Sequence, residues 1–148
     1  MRTSLVLFPD VNVCLASMRP DASDEAARVR DWFEEALNGH EQVGLSELVL
    51  SAVVRIGTHH RIFRSPSSPA DAIAFTDALL AAPAAVVVRP GARHWSIFRD
   101  LVAAHRLRGN DVPDAYLAST AMEVGATMVT LDRGFARFAG LRLLDPLA

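Results

Sequence analysis

Lysine is absent from this 148-residue chain, and cysteine and tyrosine each occur once. All fifteen basic residues are therefore arginine, which excludes mechanisms built on a lysine amine, such as a P-loop, a Schiff base or a lysine-assisted phosphoacceptor pocket. Cys14 has no partner for an internal disulfide, and its apolar neighbours read as the setting of a buried, inert thiol. No apolar run approaches the roughly 20 residues of a membrane helix, and MRTSLVLF is too short and lacks the cleavage site of a signal peptide. A cytoplasmic chain with no membrane contact is expected. His59 and His60 are adjacent while His40, His94 and His105 are scattered, so the histidines form no zinc-binding spacing. A net charge of −2 supplies no overall attraction to nucleic acid, which would need a local patch or bridging metal ions.

Hydrophobic residues, by contrast, make up 51% of the chain, enough for a sizeable core and for surface shared with a partner. Residues 1–148 read as one domain, with no repeat or linker, and a homo-oligomer or a bound protein partner is expected.

Ser4–Phe8 reads as a buried strand broken by Pro9 and Asp10, and Val11–Met18 as one or two helical turns. A loop over Arg19–Ser23 precedes an amphipathic helix over Asp24–Leu37, with Ala26, Val29, Trp32, Phe33 and Leu37 at helical spacing. Gln42–Leu45 reads as a short strand. Ser46 then caps a helix from Glu47 to about His59, whose β-branched content keeps a strand open as the alternative. Arg61–Ser68 is a basic loop, and Ser68, Pro69 and Asp71 start a helix through Leu79 and Leu80. Val86–Val88 reads as a third strand. Gly91–Arg108 holds a helix with Trp95, Phe98, Leu101 and Val102 inward and Arg99, Arg106 and Arg108 outward.

The stretch Gly109–Phe138 organises the chain. Ala115–Glu123 is rich in helix formers, Gly125 stops the helix, and Ala126–Thr130 reads as a buried strand. A helix of about 12 residues rises roughly 18 Å and a strand of about 5 returns roughly 16 Å, so Asp114 and Asp132 finish at one edge. Phe135–Phe138 is a short turn and Leu141–Leu144 a last strand. Strands alternate with helices throughout, which predicts an α/β fold of three α/β/α layers around a parallel sheet of four or five strands. Ligands of such sheets bind outside the carboxyl ends of the strands, where Asp10, Glu47, Asp114 and Asp132 all fall.

Each acid has a structural role open to it: Asp10 as a cap, Glu47 against a helix dipole, Asp132 starting a turn, Asp114 in a first helical turn. Capping does not require four acids at one edge of a lysine-free chain. The set suits a divalent cation that prefers oxygen, Mg²⁺ or Mn²⁺. Asp111 reads as the cap of the helix that carries Asp114 and as a supporting residue. Asn12 and Thr130 carry neutral oxygens able to bond the carboxylates, local turn bonding being the alternative. Arg61, Arg64, Arg106 and Arg108 are candidate phosphate contacts or simply solvated surface.

Asp10-Val11-Asn12, Ser46-Glu47-Leu48, Pro113-Asp114-Ala115-Tyr116-Leu117-Ala118 and Thr130-Leu131-Asp132-Arg133-Gly134-Phe135, in that order over nearly the whole length, resemble the PIN-domain family and more narrowly its VapC-type toxin ribonucleases. The resemblance implies that Asp10, Glu47, Asp114 and Asp132 are an acidic quartet serving a Mg²⁺- or Mn²⁺-dependent endoribonuclease. It also implies an RNA substrate, homodimerisation and inhibition by a VapB-type antitoxin. The chain departs from many relatives at Gly134, where they carry a further acid, and at Leu131, where they carry a hydroxyl. A non-catalytic module whose acids bind a partner's arginine is the alternative from another class. A receiver-like domain is a third, which the missing lysine counts against.

Overall fold

The computed structural model describes residues 5–148, and the expected strand start at Ser4 lies outside them. The strands are β1 (Val6–Pro9), β2 (Gln42–Leu45), β3 (Ala85–Val87), β4 (Thr127–Val129) and β5 (Arg142–Leu144). All pair in parallel, in the order β3-β2-β1-β4-β5. The helices are α1 (Val11–Met18), α2 (Asp24–Leu37), α3 (Glu47–Gly57), α4 (Pro69–Leu80), α5 (His94–His105) and α6 (Val112–Val124). Helices α1 to α4 pack on one another and α5 packs on α6, and the helices flank the sheet as an α/β/α sandwich. The expected three layers and parallel sheet are present, with five strands.

The core follows from the apolar runs. Phe8 of β1, Leu45 of β2 and Met128 of β4 are fully buried, with Phe33 of α2 and Phe135 and Phe138 after β4. Each large side chain so buried contributes about 1.5–3 kcal/mol. β1 ends at Pro9, which has no N–H to donate, while the ladder to β4 continues through it, Asp10 N–H donating to the Val129 carbonyl over 2.9 Å. Gly125 ends α6 in the left-handed conformation at φ 68°, where a side chain would be strained, and turns the chain directly into β4.

Several boundaries differ from the sequence reading. Helix α3 is a helix rather than a strand and stops at Gly57, the Thr58 hydroxyl donating to the Val54 carbonyl over 2.7 Å. Ser46 precedes it without capping it through its side chain. Strand β3 begins one residue earlier than expected. Helix α5 lies within the expected stretch Gly91–Arg108: Glu123 accepts the backbone N–H groups of Gly91 and Arg93 before its start, and Arg106 at φ 52° closes its end. Trp95 is 61% exposed, not inward. His94 and Leu101 define the buried stripe, and Trp95 stands one residue, about 100°, away from it.

Candidate metal centre

The sheet reverses its order of growth between β1 and β4, so the residues leaving those strands flank the switch point. Asp10 leaves β1 with extended backbone and caps α1, its Oδ1 accepting the Val11 N–H over 2.7 Å. Its Oδ2 accepts the Thr130 hydroxyl over 2.8 Å, and the side chain is 7% exposed. Burial pushes the Asp10 carboxyl above its ordinary pKa; the bonds from Thr130 and Val11 oppose the rise, and the charges of Asp114 and Asp132 add to it.

Of the two neutral side chains singled out, Thr130 bonds the Asp10 carboxylate, whereas Asn12 bonds no carboxylate and reaches Thr130 and the backbone instead. Thr130 Oγ accepts the Asp132 N–H over 3.0 Å and the Asn12 side-chain N–H over 3.3 Å. Asn12 Oδ1 in turn accepts the Leu131 N–H over 3.3 Å. The carboxyl end of β4 is thereby tied to the first turn of α1. Asp132 starts the short turn Arg133–Arg137, accepting the Gly134 N–H over 2.8 Å.

Asp114 sits in the first turn of α6, half-buried. Burial raises its pKa first and Asp132 raises it further; Arg137 pulls it down, and Asp111 pushes up again. Arg137 Nη2 donates to Asp114 Oδ2 over 3.2 Å and lies 3.8 Å from Asp111 Oδ1, with the guanidinium 4.7 Å over the Phe138 ring. Asp111 is not the side-chain cap expected of it. The short turn Gly109–Asp111 runs straight into α6, so the Asp111 backbone is already helical and its carboxylate faces Arg137 instead.

Glu47 heads α3 as expected, yet its carboxylate pairs with Arg89 over 3.1 Å, both side chains being well exposed. With Arg89, Tyr116 and Val88 it lines one cavity. Asp10 and Asp114 line another, of about 430 Å³, with Leu48, Ala52, Arg55 and Ile56. The structure thus couples three of the four acids electrostatically and holds the fourth on Arg89. Arg61, Arg64, Arg106 and Arg108 are exposed and line neither cavity. Two arginines that do meet the site, Arg55 and Arg137, were not singled out from sequence. Arg55 carried a usable signal, two helical turns beyond Glu47, but Arg137 at five residues past Asp132 matches no regular spacing. Cys14 is fully buried, and burial and the nearby Asp10 charge drive its thiol pKa up, consistent with an inert side chain.

Among the described residues, no three acids, histidines or cysteines are gathered tightly enough to hold a cation as they stand. The donor set nevertheless fits one chemically. Asp10 keeps a buried carboxylate beside two further acids, and its own hydrogen-bond partners are neutral.

The family model of the PIN domain matches residues 7–141. The chain belongs to the PIN-domain family. Within that family it groups with the VapC-type proteins: it is 46% identical to Ribonuclease VapC43 of Mycobacterium tuberculosis over 142 residues, 96% of each chain. Solved structures share the fold at lower identity. One is VapC20 of Mycobacterium tuberculosis, described as a sarcin-ricin loop cleaving toxin (TM-score 0.66, 16% identity, 92% of this chain and 98% of that one). Another is a toxin-antitoxin complex from Klebsiella pneumoniae (TM-score 0.58, 15% identity, 95% of this chain and 97% of that one).

Proposed function

We propose that the chain is the endoribonuclease toxin of a VapBC-type pair, hydrolysing RNA phosphodiester bonds at the edge formed by Asp10, Asp114 and Asp132. The observation that carries this reading is the buried Asp10 carboxylate, hydrogen-bonded by Thr130 and beside Asp114 and Asp132, with its pKa raised by burial first and by those two charges after it. The ribonuclease named at 46% identity supports the reaction class.

Asp10, Asp114 and Asp132 would hold Mg²⁺ or Mn²⁺, which when bound supplies a water acidic enough to attack and positive charge opposite the phosphate. Thr130 and Asn12 fix Asp10 and the backbone at Asp132. Glu47, once free of Arg89, would orient the attacking water at the adjoining edge. Leu48, Ala52 and Ile56 give the cavity beside Asp10 and Asp114 an apolar wall. Arg55, on the same wall, is available to a phosphate oxygen. The partners in this reading are RNA, a cognate VapB-type antitoxin and a second copy of the chain in a homodimer.

A second reading, the non-catalytic module, draws on Arg137: Asp114 already accepts one guanidinium, so a partner's arginine would find a suitable acceptor. The antitoxin-free protein incubated with RNA separates the two. Cleavage in Mg²⁺, abolished by EDTA and reduced on the order of a hundredfold or more in Asp10→Asn and Asp114→Asn, is expected of the nuclease. Intact RNA with the parent in Mg²⁺ and in Mn²⁺ would instead favour the module.

A further inference from the structure

Trp95 stands 61% exposed on α5, and its neighbours along the helix are basic. Trp95, Arg99 and Val102 follow one another at spacings of four and three, which puts them on one face, and Arg106 closes the helix one turn further on. Arg99 and Arg106 are exposed, and among the described residues neither is paired with a carboxylate. Asp100, the only acid of α5, stands about 100° round the axis from Arg99. Both ends of this helix are tied to the acidic edge. At its start, the Trp95 ring lies 5.1 Å from Phe98 and Phe98 lies 5.8 Å from Tyr116, which lines the cavity of Glu47 and Arg89. At its end, His105 meets Phe138 edge-on at 5.2 Å, and Phe138 carries the Arg137 guanidinium that bonds Asp114.

We infer that this face of α5 holds the unpaired RNA flanking the scissile bond: a base stacks on Trp95, and Arg99 and Arg106 take backbone phosphates. This rests on the ribonuclease reading of the acidic edge, and it answers a charge problem which that reading leaves. The chain carries a net charge of −2 and the edge gathers carboxylates, so a polyanion needs a local cationic patch to approach. Unpaired RNA is the occupant the chemistry fits, because an indole offers its face to any unstacked base while guanidinium groups follow the phosphates. A duplex, whose bases are stacked on one another, has no base to give Trp95.

The test is binding of a dye-labelled oligouridylate to the full antitoxin-free chain in EDTA, followed by fluorescence anisotropy at several salt concentrations. Trp95→Ala is expected to weaken binding about tenfold, and Trp95→Phe, which keeps a ring, much less. Arg99→Gln and Arg106→Gln should each flatten the dependence of log K on log salt by about 0.7. Melting curves of all four variants should match the parent's, since these side chains are exposed. Equal affinity and equal salt slope in the parent, Trp95→Ala and both Gln variants would overturn the inference. So would a Trp95→Ala chain that binds RNA as the parent does but loses self-association in sedimentation, which would make the face a protein interface. Cleavage of total RNA separates this inference from the reading beneath it. A parent that cleaves in Mg²⁺ while Trp95→Ala binds undiminished sinks the α5 face alone, whereas a parent that binds through Trp95 but cleaves nothing in Mg²⁺ or Mn²⁺ upholds the face and sinks the nuclease.

Discussion

The Thr130 hydroxyl donates to Asp10 Oδ2 over 2.8 Å, joining residues 120 positions apart. Both are buried, and the same hydroxyl oxygen accepts from Asp132 N–H and Asn12. One side chain thus orients one acid directly and positions the backbone of another. The parallel pairing of β1 with β4 makes this possible, since Pro9 and Val129 stand opposite each other and their successors leave the sheet together.

Thr130→Val keeps the shape of the side chain and removes that donor. Asp10 then loses one of its two hydrogen-bond partners in a desolvated site, which costs about 1–3 kcal/mol. Urea unfolding is expected to show a lowered midpoint with an unchanged slope. A loss below about 0.5 kcal/mol would mean that the bond contributes little beyond surface-like contacts.

Burial raises the carboxyl pKa of both Asp10 and Asp114 above the ordinary 3.8. A carboxyl with a raised folded pKa binds more protons folded than unfolded. The stability it contributes is complete below the unfolded value and is lost as pH rises through the folded one. Without metal, Asp10→Asn is therefore expected to melt above the parent at neutral pH, and the gap should narrow as the pH falls toward 4. The exposed Asp21 and Glu123, whose pKa values are lowered, act in the opposite sense but equally in both chains. Mg²⁺ at a hundred times its dissociation constant would stabilise the parent by about 2.7 kcal/mol. The Asn variant should gain much less, and equal gains in scanning calorimetry would exclude Asp10 as a ligand.

Glu47 and Arg89 form an exposed pair, a class worth roughly 0–1 kcal/mol. Glu47→Gln and Arg89→Gln should accordingly leave the melting temperature nearly unchanged. If Glu47 orients the attacking water, only its substitution slows RNA cleavage, by about a hundredfold or more. A Glu47→Gln chain as fast as the parent would remove Glu47 from the site.

The legible part of this protein was local. The Pro9-Asp10 break, the Gly125 stop and the alternation of apolar runs locate strand ends and helix starts, because backbone sterics act within a few residues. From those positions alone, Asp10, Glu47, Asp114 and Asp132 could be assigned to the carboxyl edge. Trp95 shows the limit even of local reading: the periodic apolar set included it, but buried His94 selected which stripe of α5 faces in. Asp111 looked like a cap until the turn before it proved already helical.

The sequence by itself determined the alternating strands and helices, the absence of a lysine and the edge at which the acids collect. Only the tertiary structure decided which charges meet. The strand order brings Thr130 onto Asp10, and the folded turn after β4 swings Arg137 onto Asp114 across 23 residues. Long side chains reach partners through rotamers that no sequence period encodes, so Glu47 pairs with Arg89 and Asp114 with Arg137.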